Sequence, residues 1–446
     1  MKRLRRHTLL LVTALLVAAC GVPAVTIATG PSPQGGAPGT ARIEPARLWV
    51  QQGSESGLSS IVVLDTTRRQ PSATLPTGVI TRDWTRLYTV GQTIAGPALT
   101  VIDTATSTRL DTTTVPPGFD LPAFGPSQRP TGLSPSGGFL VLAGGTSASN
   151  AQATKSSFLV YDTAAISRAP IRVDLAGSFS FDGISSDGHN LFLLEDLGQP
   201  TAGAGYHVRR YDLVAHALDP RVIADKRTGE RIMSGAPTDS VTSHDGAWQF
   251  TVYAFGASSP FVHVVNLNDS TSFCIDLPRA PSDQALDLLW GLAASHDGRF
   301  VYAVNAANGA AIEMPVDSAY QTRSGSLLVT TPVAAAAWAP WSPITALAKR
   351  IAYGAAVISP DDRTLYSIGD LGVSAIDTRT LTVRRSLVPA MHLISLTISP
   401  DGRWLYAATA DSTAPLLQID TQSGRWTSIA GSTQPLEVLH VVTRAA

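Results

Sequence analysis

Few residues in this chain have chemistry to offer, and they are scattered. Asp182, Asp239 and Asp287 open successive strand patterns upstream of a recurring turn motif, at differing spacings from it, and Arg129 stands at a similar point earlier in the chain. Carboxylates that a fold brings together can bind a hard cation such as calcium through oxygen. Held apart, they cap turns and accept amide hydrogen bonds, which is the expected role here. Trp338 and Trp341 lie in a proline-bounded stretch, and Trp290 leads into a strand pattern. Exposed rings would stack on a sugar or clamp an apolar ligand, whereas buried ones pack a loop onto its scaffold, again the expected role. His244 and His296 share one motif position, where other copies carry proline, and read as turn residues. No His-Glu-x-x-His, Cys/His cluster, Gly-x-Ser-x-Gly elbow, phosphate loop or dinucleotide fingerprint occurs. No catalytic residue and no metal ligand set is therefore assigned, and calcium is the one cofactor left open.

The elements that must position these residues are short strands. The chain has 446 residues, 44% of them hydrophobic, which is enough for a sizeable core. Its 33 Lys and Arg balance 34 Asp and Glu, so it lacks the basic excess of a nucleic-acid binder. Its 37 glycines and 30 prolines punctuate apolar runs throughout, as in a fold of many strands and turns.

The N-terminus is an address. Lys2, Arg3, Arg5 and Arg6 precede an apolar run from Leu9 to Val17, then Ala18, Ala19 and Cys20. This is the order of a secretory signal, and the run is too short to span a bilayer. Val17-Ala18-Ala19-Cys20 resembles the bacterial lipobox. That resemblance implies cleavage after residue 19, acylation of Cys20 and an anchor on the extracytoplasmic face of a membrane. Residues 20–45, rich in Pro, Gly, Thr and Ala, read as a lipidated flexible tether. The second cysteine, Cys274, sits in a strand pattern as a buried free thiol, so there is no disulfide framework.

From residue 46 one phrase recurs: a Ser-x-Asp-Gly turn, an alternating strand, and a later strand ending in Asp-Thr. The clearest copy is Ile398-Ser399-Pro400-Asp401-Gly402-Arg403-Trp404-Leu405-Tyr406, followed by Ile419-Asp420-Thr421. Turns centred near residues 83, 136, 187, 245, 297, 361 and 401 share the pattern. Aspartate caps such a turn and glycine takes its positive φ. A period of about 40–50 residues matches one four-stranded propeller blade. The repeat resembles the YVTN type of bacterial β-propeller found in surface-antigen and lactonase-like proteins, and it covers nearly all of residues 46–446.

Seven turn motifs give seven blades. The pair of strand patterns at 46–50 and 61–66 has no inner strand of its own, and residues 436–442 form a strand with no partner. Joining them closes the ring with eight blades in an all-β propeller; seven is the alternative if residues 288–330 are irregular. In such a ring the Asp-Gly and Asp-Thr turns share one rim. The long connections at 115–130, 144–157, 195–206, 224–238, 278–287 and 331–350 share the other, which is the expected binding face. The expected function is an extracytoplasmic, lipid-anchored binding module with a protein or glycan partner on that rim. The resemblance also admits an enzyme of the lactonase or quinoprotein-dehydrogenase type.

Overall fold

The computed structural model describes residues 43–53, 59–125, 128–144, 155–198, 205–225, 228–229, 231–254, 259–279, 284–318, 321–327, 355–369, 372–389, 391–429 and 435–443. The fold is an all-β propeller of eight four-stranded antiparallel blades. Its one described helix is the short 3-10 segment Gln284–Leu289. The unit over residues 288–330 is a regular blade built on Gly291–Ala294, Phe300–Asn305, Ala310–Pro315 and Arg323–Ser326. The seven-blade alternative falls with it.

The ring closes through both ends of the chain. Pro435–Thr443 is the innermost strand of the first blade and runs antiparallel to Ala46–Gln52, with Leu48 opposite Val441 and Val50 opposite Val438. Ser60–Asp65 and Gln70–Pro76 complete that sheet. Val438, Leu48 and Leu64 pack against Tyr406, Ala408 and Leu416 of the eighth blade. On the other face, Trp49, Ile61 and Leu75 pack against Leu87 and Ile102 of the second blade.

Each blade buries both faces in this way, because side chains along a strand point alternately to opposite sides. In the eighth blade Leu405 and Ala407 pack toward the seventh, while Tyr406 and Ala408 pack toward the first. The hydrophobic core is accordingly a circle of clusters lying between consecutive blades rather than a single centre.

The recurring phrase is a hydrogen-bond kit. Ser295 Oγ donates to Asp297 Oδ1 at 2.7 Å and accepts from Phe300 N at 3.0 Å, while Asp297 Oδ1 accepts from Arg299 N at 3.0 Å. Gly298 takes φ +72° between them. The threonine of Asp-Thr ties the blade's two turns together: Thr421 Oγ1 donates to Gly402 O at 2.9 Å and Thr163 Oγ1 to Gly137 O at 2.6 Å. Asp420 caps its own turn by accepting from Gln422 N and Ser423 N at 2.8 and 2.9 Å.

Candidate functional site in the central channel

Inner strands line a propeller's channel, and the third blade breaks the pattern. Its inner strand is split: Phe119 and Asp120 pair with Gly144 and Ala143, and Leu133 bridges Leu140. Between these pieces the chain leaves the sheet as a hairpin, with Phe124 opposite Arg129 and Ala123 opposite Pro130. Thr131 N donates to Pro122 O at 2.8 Å and closes its base. The sequence reading put residues 115–130 on the rim as a loop. The structure corrects this, because the segment holds part of an inner strand and a hairpin that enters the channel.

The hairpin crosses to two other blades. Gly125, at φ +62°, lies so close to the fifth blade that a Cβ there would stand 2.6 Å from Pro237 O. Arg129 stands 3.9 Å from Glu437 on the strand that closes the first blade. Its guanidinium also covers the Phe124 ring at 5.6 Å from the centroid. At the opposite end Arg82, in the turn of the second blade, donates to Ser243 O at 3.1 Å and His244 O at 3.0 Å in the turn of the fifth. A cavity of about 460 Å³ lies between these two crossings, with Phe124, Arg129, Phe181, Asp182, Thr242 and Gln249 among its walls.

One carboxyl, Asp182, lines this cavity, and a second, Asp239, lies outside its lining but feels the charges of Arg129 and Glu437. Asp182 occupies a bulge between Phe181 and Gly183 of the fourth inner strand. Gln249 Nε2 donates to its carbonyl at 3.0 Å and reaches its Oδ1 at 3.4 Å, while Oδ2 is shielded from solvent with no partner. Burial pushes its pKa up to about 7. Asp239, on the fifth inner strand, is held more firmly: Oδ2 accepts from Leu292 N of the sixth blade at 2.7 Å and Oδ1 from Ser240 N at 2.9 Å. Burial raises this group to about 7 as well, opposed by the Arg129 charge and the two amides and assisted by Glu437. Both groups exchange protons near neutral pH.

Behind Asp182 the boundary between the fourth and fifth blades is unusually polar. Tyr206 and Tyr253 lie with ring centroids 5.6 Å apart, and His263 meets Tyr253 edge-on at 6.3 Å. His263 is buried with Nε2 unpartnered, and burial holds its pKa down at about 4. Its Nδ1 stands 3.8 Å from Cys274 Sγ. Cys274 lies on an outer strand, part-buried rather than buried, and its amide donates to Asp225 Oδ2 at 2.7 Å.

The structure thus brings Arg129, Asp182 and Asp239 to the channel and leaves the other candidates elsewhere. Asp287 is on the 3-10 helix Gln284–Leu289, buried and 3.8 Å from Arg279. The calcium reading drew on three converging aspartates and loses its third to this ion pair. Among the described residues no group of three or more His, Cys, Asp or Glu is placed to hold a metal. Trp290 is fully buried among Leu292, Val301 and Phe273, in the core between the fifth and sixth blades, and so presents no ring to a ligand. His296 is a turn residue, its Nδ1 2.9 Å from Asp362 Oδ1 of the next blade. Trp338, Trp341 and Cys20 lie outside the described residues.

Arg82, Phe124 and Glu437 escaped the sequence reading. The clue was in Phe124-Gly125-Pro126, a glycine-proline turn between two pieces able to pair.

No protein-family model matches the chain, and no curated protein matches it. Solved structures do. One of apo AztD from Citrobacter koseri aligns over 90% of this chain and 98% of that one, at 11% identity and a TM-score of 0.51. A second Citrobacter koseri AztD structure covers 91% and 99%, again at 11% identity and 0.51. The dihydro-heme d1 dehydrogenase NirN covers 92% of this chain and 79% of its own, at 12% identity and 0.49. Identities this low speak to architecture alone, and on that level blade count, circular core and the likeness to the two AztD structures agree that the chain is a β-propeller.

Proposed function

We propose that the protein is a lipid-anchored, extracytoplasmic binding module whose channel chamber holds a small polar ligand, with the long-connection rim facing a protein or glycan partner. The observation that carries the reading is the chamber itself. Its volume falls within the range of small-molecule sites, and the half-buried Asp182 stands in its wall with Arg129 and Gln249. A carboxyl, a guanidinium and a carboxamide on one wall offer a polar ligand both donors and acceptors. The anchor rests on the Lys/Arg-rich start, the short apolar run and Cys20.

The test is to purify the full-length protein from the cell envelope, denature it and identify released small molecules by mass spectrometry. The expected result is one stoichiometric species, lost in Asp182→Asn. An empty protein that also shows no thermal shift across a panel of small polar metabolites overturns the reading. For the anchor, Cys20→Ala is expected to leave the membrane fraction, and a variant that stays there defeats it.

A second reading, an enzyme of the lactonase or quinoprotein-dehydrogenase type, draws on one observation. Asp182 and Asp239 both sit at about 7, the range for general acid-base work at neutral pH. Catalytic turnover of a lactone that is abolished by Asp182→Asn would favour it over simple binding.

A further inference from the structure

We infer that a second site, on the rim of short turns between the first and second blades, binds the ring of a neutral saccharide. It shares no lining residue with the channel chamber and stands independently of the function proposed for that chamber.

The sequence oddity that marks it is the second blade's turn, Thr81-Arg82-Asp83-Trp84. Asp83 does its usual work, with Oδ1 accepting from Thr81 Oγ1 at 2.6 Å and Thr85 N at 3.1 Å. Trp84, however, fills the glycine position at φ +57°, a region that disfavours bulky side chains. Its indole lies flat on the His440 imidazole of the closing strand, with centroids 4.2 Å apart and planes 8° apart. Trp49 stands 5.4 Å from His440 and 6.2 Å from Trp84. The three rings, with Arg47, Asp83 and Thr104, bound a cavity of about 310 Å³.

The polar groups at this cavity fit hydroxyls. Trp49, only 4% exposed, backs the cavity as an apolar ring. The Asp83 hydrogen bonds use Oδ1, so Oδ2 carries none of them. Arg47 donates through Nη1 to Ala105 O at 3.2 Å and has further N–H groups to offer. His440, kept neutral by burial, adds an uncharged ring face. Aromatic faces take the C–H side of a sugar while carboxylate and guanidinium take its hydroxyls.

Three rings beside a carboxylate would also suit a quaternary ammonium. Arg47 argues against it. Its guanidinium already sits 6.0 Å from the Trp49 ring centroid and would repel a second cation. A neutral ring with hydroxyls meets no such conflict.

The test uses residues 21–446 and three probes, chitotetraose, maltotetraose and choline, with tryptophan fluorescence and calorimetry as readouts. At least one oligosaccharide is expected to bind saturably and choline not to bind. Trp84→Gly installs the glycine that most of the other turns carry, so its backbone relaxes, and it is expected to weaken saccharide binding about tenfold or more. Arg47→Met is expected to weaken it similarly and gives a readout should Trp84→Gly fold poorly. The inference is overturned if neither oligosaccharide binds, if choline produces the saturating signal, or if both variants bind saccharide as the parent does.

Discussion

The guanidinium of Arg129 lies 3.9 Å from the carboxylate of Glu437, one in a hairpin of the third blade and the other in the strand that closes the first. Both side chains are more than a third exposed, so the pair itself contributes under about 1 kcal/mol. Its importance is position, since it fixes a hairpin across the channel and sets a positive charge near Asp239. Arg129→Met is expected to leave overall stability nearly unchanged and to raise the Asp239 pKa above its present value of about 7. Carboxyl carbon shifts followed by NMR through a pH titration check this, and an unmoved Asp239 contradicts it.

The hairpin tip offers a sharper test. Gly125 has a positive φ and no room for a Cβ beside Pro237 O. Gly125→Ala is expected to cost roughly 1–3 kcal/mol through clash and backbone strain. Urea unfolding measures the loss. Faster amide exchange confined to the hairpin would show that the plug, and not the ring, has loosened.

The buried titratable groups make opposing demands on pH. Asp182 and Asp239 hold their protons to about 7 in the fold, whereas an unfolded aspartate releases its proton near 3.9. The unfolded chain ionises first, so each carboxyl erodes stability as pH rises from about 4 to about 7. His263 and His440 are held at about 4, below the unfolded value near 6.5. The unfolded chain protonates first, so each histidine erodes stability as pH falls from about 6.5 to about 4. Relative to the parent, the melting temperature of Asp182→Asn should climb from pH 4 to 7. That of His440→Phe should decline from pH 4 to 6.5. Parallel curves in calorimetry would refute these shifts.

The closing strand should be the weak link of the ring. Leu48 is fully buried in the cluster between the first and eighth blades, and Leu48→Ala is expected to cost roughly 2–5 kcal/mol. Removing residues 435–443 bares the whole edge of Ala46–Gln52 and should give aggregation in size-exclusion chromatography. A monomeric, cooperatively folding truncate would show that the ring does not need its clasp.

Blade count and closure were legible in the sequence because Ser399, Asp401, Gly402 and Thr421 each do a local job that dictates residue type. The unpaired strand at 436–442 then needed a partner, and one was free. The chamber was not legible, since it depends on distances across the ring. Asp182 and Asp287 both precede a turn motif, at different spacings that the sequence could not translate into distances, and one occupies a bulge of an inner strand lining the chamber while the other is tied to Arg279 on a 3-10 helix. Trp290 was ambiguous for the same reason, because a ring at the start of a strand packs inward or outward according to the neighbouring blade. The hairpin was hidden because an inner strand interrupted by an excursion reads as a long connection.

Pairing Leu48 with Val441 has a consequence for biosynthesis. The ribosome makes one partner at the start of the ring and the other at its finish, so seven blades' worth of polypeptide must emerge before the circle can shut. Until then the nascent first sheet lacks its innermost member. A chain built this way acquires its final shape only once its last strand has been made and has found its place beside the first.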